Sequence, residues 1–399
     1  MISFLTAGES HGPQLTAILN GIPAGLAIDP EKIQFQMDRR RKGYGRGGRM
    51  KIESDRVEIV SGLRHGLTLG SPITLVIKNN DWVNWAEIMD PLNPPPADLG
   101  LREKRLTEET TRPRPGHADL AGGVKYNHHD LRNVLERASA RETAVRTAVG
   151  TITRLLLEVF DIQFASHVVR IGAVELAQGY DTRDLEKLRR ITEESEVRCL
   201  DSTAGERMIA EIKAAKNARD SVGGVAELIV RGVPVGLGSF AQSSERLDAQ
   251  LASALMSIPS VKGVEFGLGF RAAEMRGSEI HDEIFYRSKS NPRKKDYYRN
   301  TNNAGGIEGG ISNGEDIVVR VGAKPISTLN RPLRTVDVIS HESHEAMVER
   351  TDHCIVPALA VICEAVASIV IAQAFVTKFG GDNMAELQRN YSSWLSTSY

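Results

Sequence analysis

The chain has only three cysteines in 399 residues, and Cys199, Cys354 and Cys363 form no C-x-x-C pair and leave an odd count. That argues against a disulfide framework and a cysteine-based zinc site, and it points to reducing, cytoplasmic surroundings. Net charge is also missing, because 50 Lys plus Arg face 51 Asp plus Glu for a formal charge of −1. A polybasic binder of nucleic acid or membrane surface is therefore not expected, and any partner must be recognised by local charge. The most apolar segment, Cys354 to Phe375, is interrupted by Pro357, Glu364 and Gln373. It falls short of about 18 uninterrupted apolar residues and reads as a buried helix, so no membrane span is expected. The first twelve residues carry neither a basic stretch nor a long apolar one, so no secretory signal is expected. His128-His129-Asp130 has no His partner four residues on, and adjacent side chains diverge. It reads as a helix start with Asp130 near the N-cap, and no metal is expected. Finally, no G-x-G-x-x-G opens a βαβ unit, which speaks against a Rossmann dinucleotide site.

What is present is a mixture of short and long periodic segments. Val57–Ser61, Ile73–Lys78, Ala226–Val230 and Asp316–Val321 read as strands, whereas Asp130–Leu157, Arg246–Ser257 and Pro357–Phe375 read as helices. Together they predict a layered α+β fold. The 36 glycines gather in Gly43–Gly48, Gly116–Gly123, Gly263–Gly269 and Gly305–Gly314, places where backbone turns tightly or approaches something closely. The proline-rich stretch between Asp90 and Gly100 reads as an extended loop, and no internal repeat appears. One large domain over residues 1–399 is the expectation.

The sharpest anomaly is Arg39-Arg40-Arg41-Lys42-Gly43-Tyr44-Gly45-Arg46-Gly47-Gly48-Arg49-Met50-Lys51, basic and glycine-rich without an acid. Flexible glycines let several cations converge on one small anion, with backbone amides as further donors. A solvated basic loop or a nucleic-acid contact is the alternative, but a single aromatic, Tyr44, is too little for a stacking platform. His11, in Gly8-Glu9-Ser10-His11-Gly12, and His117, in Arg112-Pro113-Arg114-Pro115-Gly116-His117-Ala118-Asp119, lie in turns where an imidazole suits proton transfer. Arg137 and Arg141, four apart, are expected on one helical face with Ser139 between them. Lys324-Pro325-Ile326-Ser327-Thr328 and Val348-Glu349-Arg350-Thr351-Asp352 add cations and hydroxyls in turns. The residues themselves imply a site for a phosphorylated and carboxylated small molecule.

Taken in order, Gly8–Gly12, Arg39–Arg49, Arg112–Asp119, Arg137–Thr143, Gly263–Gly267, Gly305–Gly314, Lys324–Thr328 and Glu349–Asp352 make the chain resemble the chorismate synthase family from end to end. One departure is visible: many relatives have Ser where this chain has Ala138, so a hydroxyl is lost there. The resemblance implies a β-α-β sandwich, with helices packed between antiparallel sheets, and a homotetramer. It implies anti-1,4-elimination of phosphate from 5-enolpyruvylshikimate 3-phosphate, giving chorismate on the shikimate route to aromatic amino acids. Reduced FMN would be required without net redox change, because the hydrogen lost from C6 is not α to a carbonyl and a flavin can lend an electron and recover it. By resemblance, Arg40, Arg46, Arg49, Arg114 and Arg141 would hold the substrate, and His11 would protonate the departing phosphate. His117 would favour the protonation state the flavin needs, and Asp352 would assist proton removal at its N5 side. Flavin contacts would come from Arg137, Ala138, Ser139, Pro259, Ser260, Gly309 or its neighbour Gly310, Lys324, Pro325, Ile326, Ser327, Thr328 and Arg350. Some relatives reduce their flavin with NADPH, and others depend on an external flavin reductase. A flavin-dependent oxidoreductase using NADPH is the competing enzyme class, and a non-enzymatic nucleic-acid binder ranks last.

Overall fold

Leu15, Ala17 and Leu19 are buried while the residues between them face outward, the two-residue period of a half-covered strand. In the computed structural model, which describes residues 1–47, 54–94, 109–177, 180–348 and 351–397, this segment belongs to a four-stranded antiparallel sheet. Its strands are β1 (Ser3–Ala7), β2 (Gln14–Asn20), β3 (Val57–Ile59) and β4 (Ile73–Lys78), in the order β1-β2-β4-β3. A second antiparallel sheet contains β5 (Gln163–Ile171), β6 (Val174–Glu175), β7 (Gly224–Arg231), β8 (Val261–Phe266) and β9 (Ile317–Ala323), in the order β8-β9-β7-β5-β6. All four strands expected from sequence are present in these sheets.

Helices α1 (Pro30–Arg41), α2 (Thr143–Glu158), α3 (Leu247–Met256) and α4 (Val356–Phe379) position the site. α2 packs on β2 and β4, α4 packs on β5 and β7, and α2 and α4 lie against each other. Both are buried on nearly every side, as core helices are. They approach closely because Gly150 lacks a side chain: a Cβ there would stand 2.3 Å from the Ala365 carbonyl oxygen. The Ser368 hydroxyl, which donates to the Gly150 carbonyl at 2.7 Å, fixes the crossing. By length and hydropathy α4 is able to cross a membrane, but 83% of its most apolar stretch is buried inside the fold, where it is a core helix. Cys199, Cys354 and Cys363 are buried free thiols.

The expected single helix from Asp130 to Leu157 is instead three pieces: Arg132–Leu135, a 3-10 turn Ala140–Glu142, and α2. Ser139 is extended, and its hydroxyl accepts the Arg141 N–H at 3.2 Å, a local bond that replaces a helical one. The apolar period therefore runs through a break. Arg137 and Arg141 do not share a helical face.

A buried ionic network ties α1 to the core. Arg39 Nη1 and Nη2 donate to Glu364 Oε2 and Oε1 at 2.7 and 3.0 Å, and Arg154 and Ser166 donate to the same carboxylate at 2.6 Å each. Burial pushes the Glu364 carboxyl up, but Arg39 and then Arg154 and Ser166 outweigh it and hold it at about 2. Removing one partner of a buried pair costs about 3–5 kcal/mol, the loss expected for Glu364→Ala in urea denaturation. A carboxyl depressed on folding stabilises above its unfolded value and ceases to do so as pH falls toward the folded one. Wild-type stability should thus decline between about pH 4.5 and pH 2, with a shallower slope in Glu364→Gln, read from denaturation midpoints across that window.

Candidate functional site

Four groups of polar side chains meet around the connection between residues 110 and 143. The first is cationic. Arg40, at the end of α1, donates from Nη1 to Asp55 Oδ2 at 3.1 Å and from Nε and Nη2 to the Thr143 hydroxyl at 3.1 and 2.9 Å. Arg141 donates to Asp55 Oδ1 at 3.0 Å. Arg46 pairs with Asp352 Oδ2 at 2.8 Å, and the Gly47 N–H donates to Asp352 Oδ1 at 2.5 Å. Burial lowers the Arg40 pKa, Asp55 opposes that, and repulsion from Arg46 and Arg141 adds to the lowering, leaving it at about 10. It remains a cation at neutral pH. A solvated-loop reading fails for Arg39 and Arg40, which are 4% and 3% exposed.

The second group surrounds His11. Its Nδ1 lies 2.9 Å from both oxygens of Glu136, whose carboxylate also accepts the His11 backbone N–H at 2.9 Å. The contact puts the Nδ1 proton toward Glu136 and turns Nε2 away from it. Trp85 stacks on the imidazole with ring centres 3.8 Å apart. Burial raises the Glu136 carboxyl, but the His11 bonds and Arg132 outweigh it and hold it below its usual range.

In the third group, Arg114 donates from Nε to Asp119 Oδ2 at 2.8 Å and from Nη1 to the Thr328 hydroxyl at 3.0 Å. His117 Nδ1 stands 2.5 Å from Asp119 Oδ1, shorter than its 3.1 Å approach to Arg114, so Nδ1 donates to the carboxylate. Burial raises the Asp119 carboxyl, yet His117 and Arg114 hold it far below the usual range. Lys324 donates to the Gly116 carbonyl at 2.9 Å, and the Ser221 hydroxyl donates to the Ile326 carbonyl at 2.7 Å. The Lys324–Thr328 turn is thereby joined to the Arg112–Asp119 loop.

The fourth group is a chain of donors. Arg137 donates to the Thr6 hydroxyl at 2.7 Å, Thr6 to Glu142 at 3.0 Å, Arg146 to Glu142 at 2.8 Å and Arg146 to the Ser257 hydroxyl at 2.7 Å. Just beyond, Pro259 leads into Ser260, which has a φ of +74° and accepts the Lys324 N–H at 2.9 Å. The Ala138 N–H donates to the Val134 carbonyl at 3.0 Å, leaving only its carbonyl for a ligand.

These groups close into a ring. His353 N–H donates to the Gly45 carbonyl at 2.7 Å, and Val222 N–H donates to the His353 carbonyl at 2.9 Å. Ser221 leads to Ile326, Thr328 to Arg114, and Leu131 N–H to the Thr110 carbonyl at 2.8 Å. Glu136 then reaches His11, and Arg40 returns through Ala140 and Thr143. Gly309 stays apart. It lies in a hairpin whose Gly310 carbonyl accepts the Leu247 N–H at the start of α3, whereas Ser260 follows the far end. Ten helical residues separate the two by about 15 Å. Gly309 opens onto empty space, whereas a Cβ on Gly310 would stand 2.6 Å from Arg246 Cγ. Arg49 and Arg350, expected at the site, lie outside the described residues, as does most of the proline-rich loop.

Sequence reasoning missed Asp55, Trp85, Glu136 and Glu142. Asp55 reaches Arg141 86 residues on, Glu136 reaches His11 125 residues back and Glu142 reaches Thr6 136 residues back, pairings that no local spacing marks, although Arg146, four residues on, is a local partner of Glu142. A cavity of about 490 Å³, lined in part by Lys262, Gly263, Gly322, Lys324 and Pro325, borders the third group. It is an open depression in which Arg170, Lys262 and Lys324 place cationic side chains beside a glycine-rich floor.

Comparison with known proteins gives the family. The profile of the family described as chorismate synthase matches residues 2–376. The chain is 53% identical over 397 residues to chorismate synthase of Geobacter sulfurreducens, covering 99% of this chain and 98% of that one. It is 51% identical over 387 residues to chorismate synthase of Bacillus subtilis, covering 97% of each. A crystal structure of chorismate synthase superposes with a TM-score of 0.77 at 40% identity, over 99% of this chain and 97% of that one.

Proposed function

Because the chain belongs to the chorismate synthase family and is therefore a lyase, we propose that it eliminates phosphate from 5-enolpyruvylshikimate 3-phosphate to give chorismate, with reduced FMN as its cofactor. The observation that carries this reading is the gathering of Arg40, Arg46 and Arg141, from three separate segments, around two carboxylates. Three guanidinium groups against Asp55 and Asp352 leave a surplus of one positive charge, and Arg114, itself paired with Asp119, presents further donors across the ring. A ligand with one phosphate and two carboxylates suits such a donor set, since guanidinium forks bind these groups in pairs of hydrogen bonds. Arg49 joins this set by resemblance.

His11 is the proton donor to the leaving phosphate. Its Nδ1–H is committed to Glu136, so Nε2 is the atom that delivers the proton, and the Glu136 carboxylate stabilises the imidazolium that holds it. Trp85 keeps the ring from rotating.

The residues fit a flavin mononucleotide. Lys324 lines the pocket, and Ser327, Thr328, Ser260 and, by resemblance, Arg137 add the cationic and hydroxyl donors that its phosphate and polyol need. When bound, reduced FMN supplies an electron as phosphate leaves and regains it as the C6 hydrogen is lost. His117, held by Asp119, offers or withholds a proton at Nε2, and Asp352 is the carboxylate that takes one up. Pro325 lines the same pocket, and Pro259, Ile326, Ser139, Ala138, Gly309 and Arg350 are assigned to the flavin by resemblance alone.

The packing of α2 and α4 between the two sheets is read as the β-α-β sandwich of one domain spanning 1–399. A homotetramer in the cytoplasm is the matching assembly. Anaerobic assay with chemically reduced FMN tests the activity: phosphate and chorismate should appear in equal amounts while the flavin stays reduced. Stoichiometric flavin oxidation would favour an oxidoreductase instead. A parallel reaction with NADPH and oxidised FMN decides between self-reduction and an external flavin reductase.

A further inference from the structure

Asp55 touches two of the substrate-holding arginines at once. Its side chain is fully buried, and it gives one oxygen to each partner: Oδ2 to Arg40 Nη1 at 3.1 Å and Oδ1 to Arg141 Nη1 at 3.0 Å. The two arginines come from α1 and from the 3-10 turn, segments about a hundred residues apart. Asp55 itself sits at a φ of +47°, a left-handed conformation that Asp and Asn adopt far more readily than other side chains. Without the carboxylate, two buried guanidiniums would repel each other. With it, both are tethered through Nη1 at a fixed separation, and Thr143 and the Ala140 carbonyl hold the opposite side of Arg40.

We propose that Asp55 is a positioning residue that sets the spacing of Arg40 and Arg141, making the cationic site selective for a ligand whose anionic groups stand at fixed separations. The inference rests on the proposed role of these arginines in holding the substrate. Asp55 lowers the total positive charge of the site, which weakens attraction for any small anion, and in return it orders the donors. A bare phosphate ion needs only charge, because it accepts hydrogen bonds from any direction. A substrate with one phosphate and two carboxylates on a rigid ring needs donors at set places. The two ligands therefore respond oppositely to loss of Asp55.

The test is Asp55→Asn, which keeps size and backbone conformation while removing the charge. The KM for 5-enolpyruvylshikimate 3-phosphate should rise about tenfold or more, kcat should change less, and FMN affinity should be unaffected. Calorimetric binding of inorganic phosphate should become several-fold tighter. A general loosening of the fold would weaken both ligands together, and that outcome, or an unchanged KM, overturns the proposal. The phosphate measurement needs no turnover. If the wild-type protein fails to convert the substrate, the functional reading falls while the calorimetry still decides the role of Asp55. Should Asp55→Asn not fold, Arg141→Lys serves: a lysine satisfies Asp55 as a point charge but has no second edge for the ligand. A several-fold rise in KM is then expected, and an unchanged KM refutes the proposal.

Discussion

His11→Ala should lower turnover by about 10²–10⁴-fold while affinity for FMN and substrate changes little, the loss typical of a general acid. Among the described residues His11 hydrogen-bonds to Glu136 through Nδ1, and its outward atom is Nε2. The effect should therefore fall on kcat. A substrate analogue with a better leaving group needs less protonation and should show a smaller defect. Glu136→Gln should share part of the loss, because the amide presents a neutral partner to Nδ1 and no longer stabilises imidazolium. Equal defects for both substrates would remove His11 from the acid role.

Asp352→Ala should slow the chemical step by about 10²-fold, the lower end of what positioned proton transfer supplies. Substrate affinity should stay level or improve. Both carboxylate oxygens are engaged, one by Arg46 at 2.8 Å and the other by the Gly47 N–H at 2.5 Å. Removing the side chain frees those donors for the substrate, so binding does not suffer. A slower step with intact or tighter binding marks an interaction used mainly in the transition state. Single-turnover anaerobic kinetics are the measurement. A folded, flavin-bound variant with a normal rate would leave Asp352 as a charge partner of Arg46 alone.

The clusters proposed to hold the substrate were legible in the sequence because small-anion binding needs arginine and glycine together, and such clusters stand out from a neutral chain. What lay hidden was how the arginines divide. Arg39 and Arg40 are adjacent, yet successive helical side chains point about 100° apart. Arg39 turns into the core toward Glu364, 325 residues away, and Arg40 turns toward Asp55 and Thr143. Periodicity reports on neighbours within a few positions and is silent on such pairings. Glu136 was invisible for the same reason, its partner His11 being 125 residues distant. The break at Ser139 escaped because the apolar pattern continues through it, although that break is what lets Glu136, Arg137 and Arg141 face different partners. Strand positions were easier, since Ile73–Lys78 and Ile317–Ala323 carry their own short β-rich runs.

The central claim is that the arginines and His11 converge on one substrate. The most direct measurement is a crystal structure with substrate and oxidised FMN, which cannot lend an electron and so leaves the substrate intact. The account predicts the phosphate and both carboxylates within hydrogen-bonding reach of Arg40, Arg46, Arg114 and Arg141, and His11 Nε2 about 2.6–3.2 Å from a phosphate oxygen. Substrate bound elsewhere, or His11 turned away from the phosphate, would contradict it.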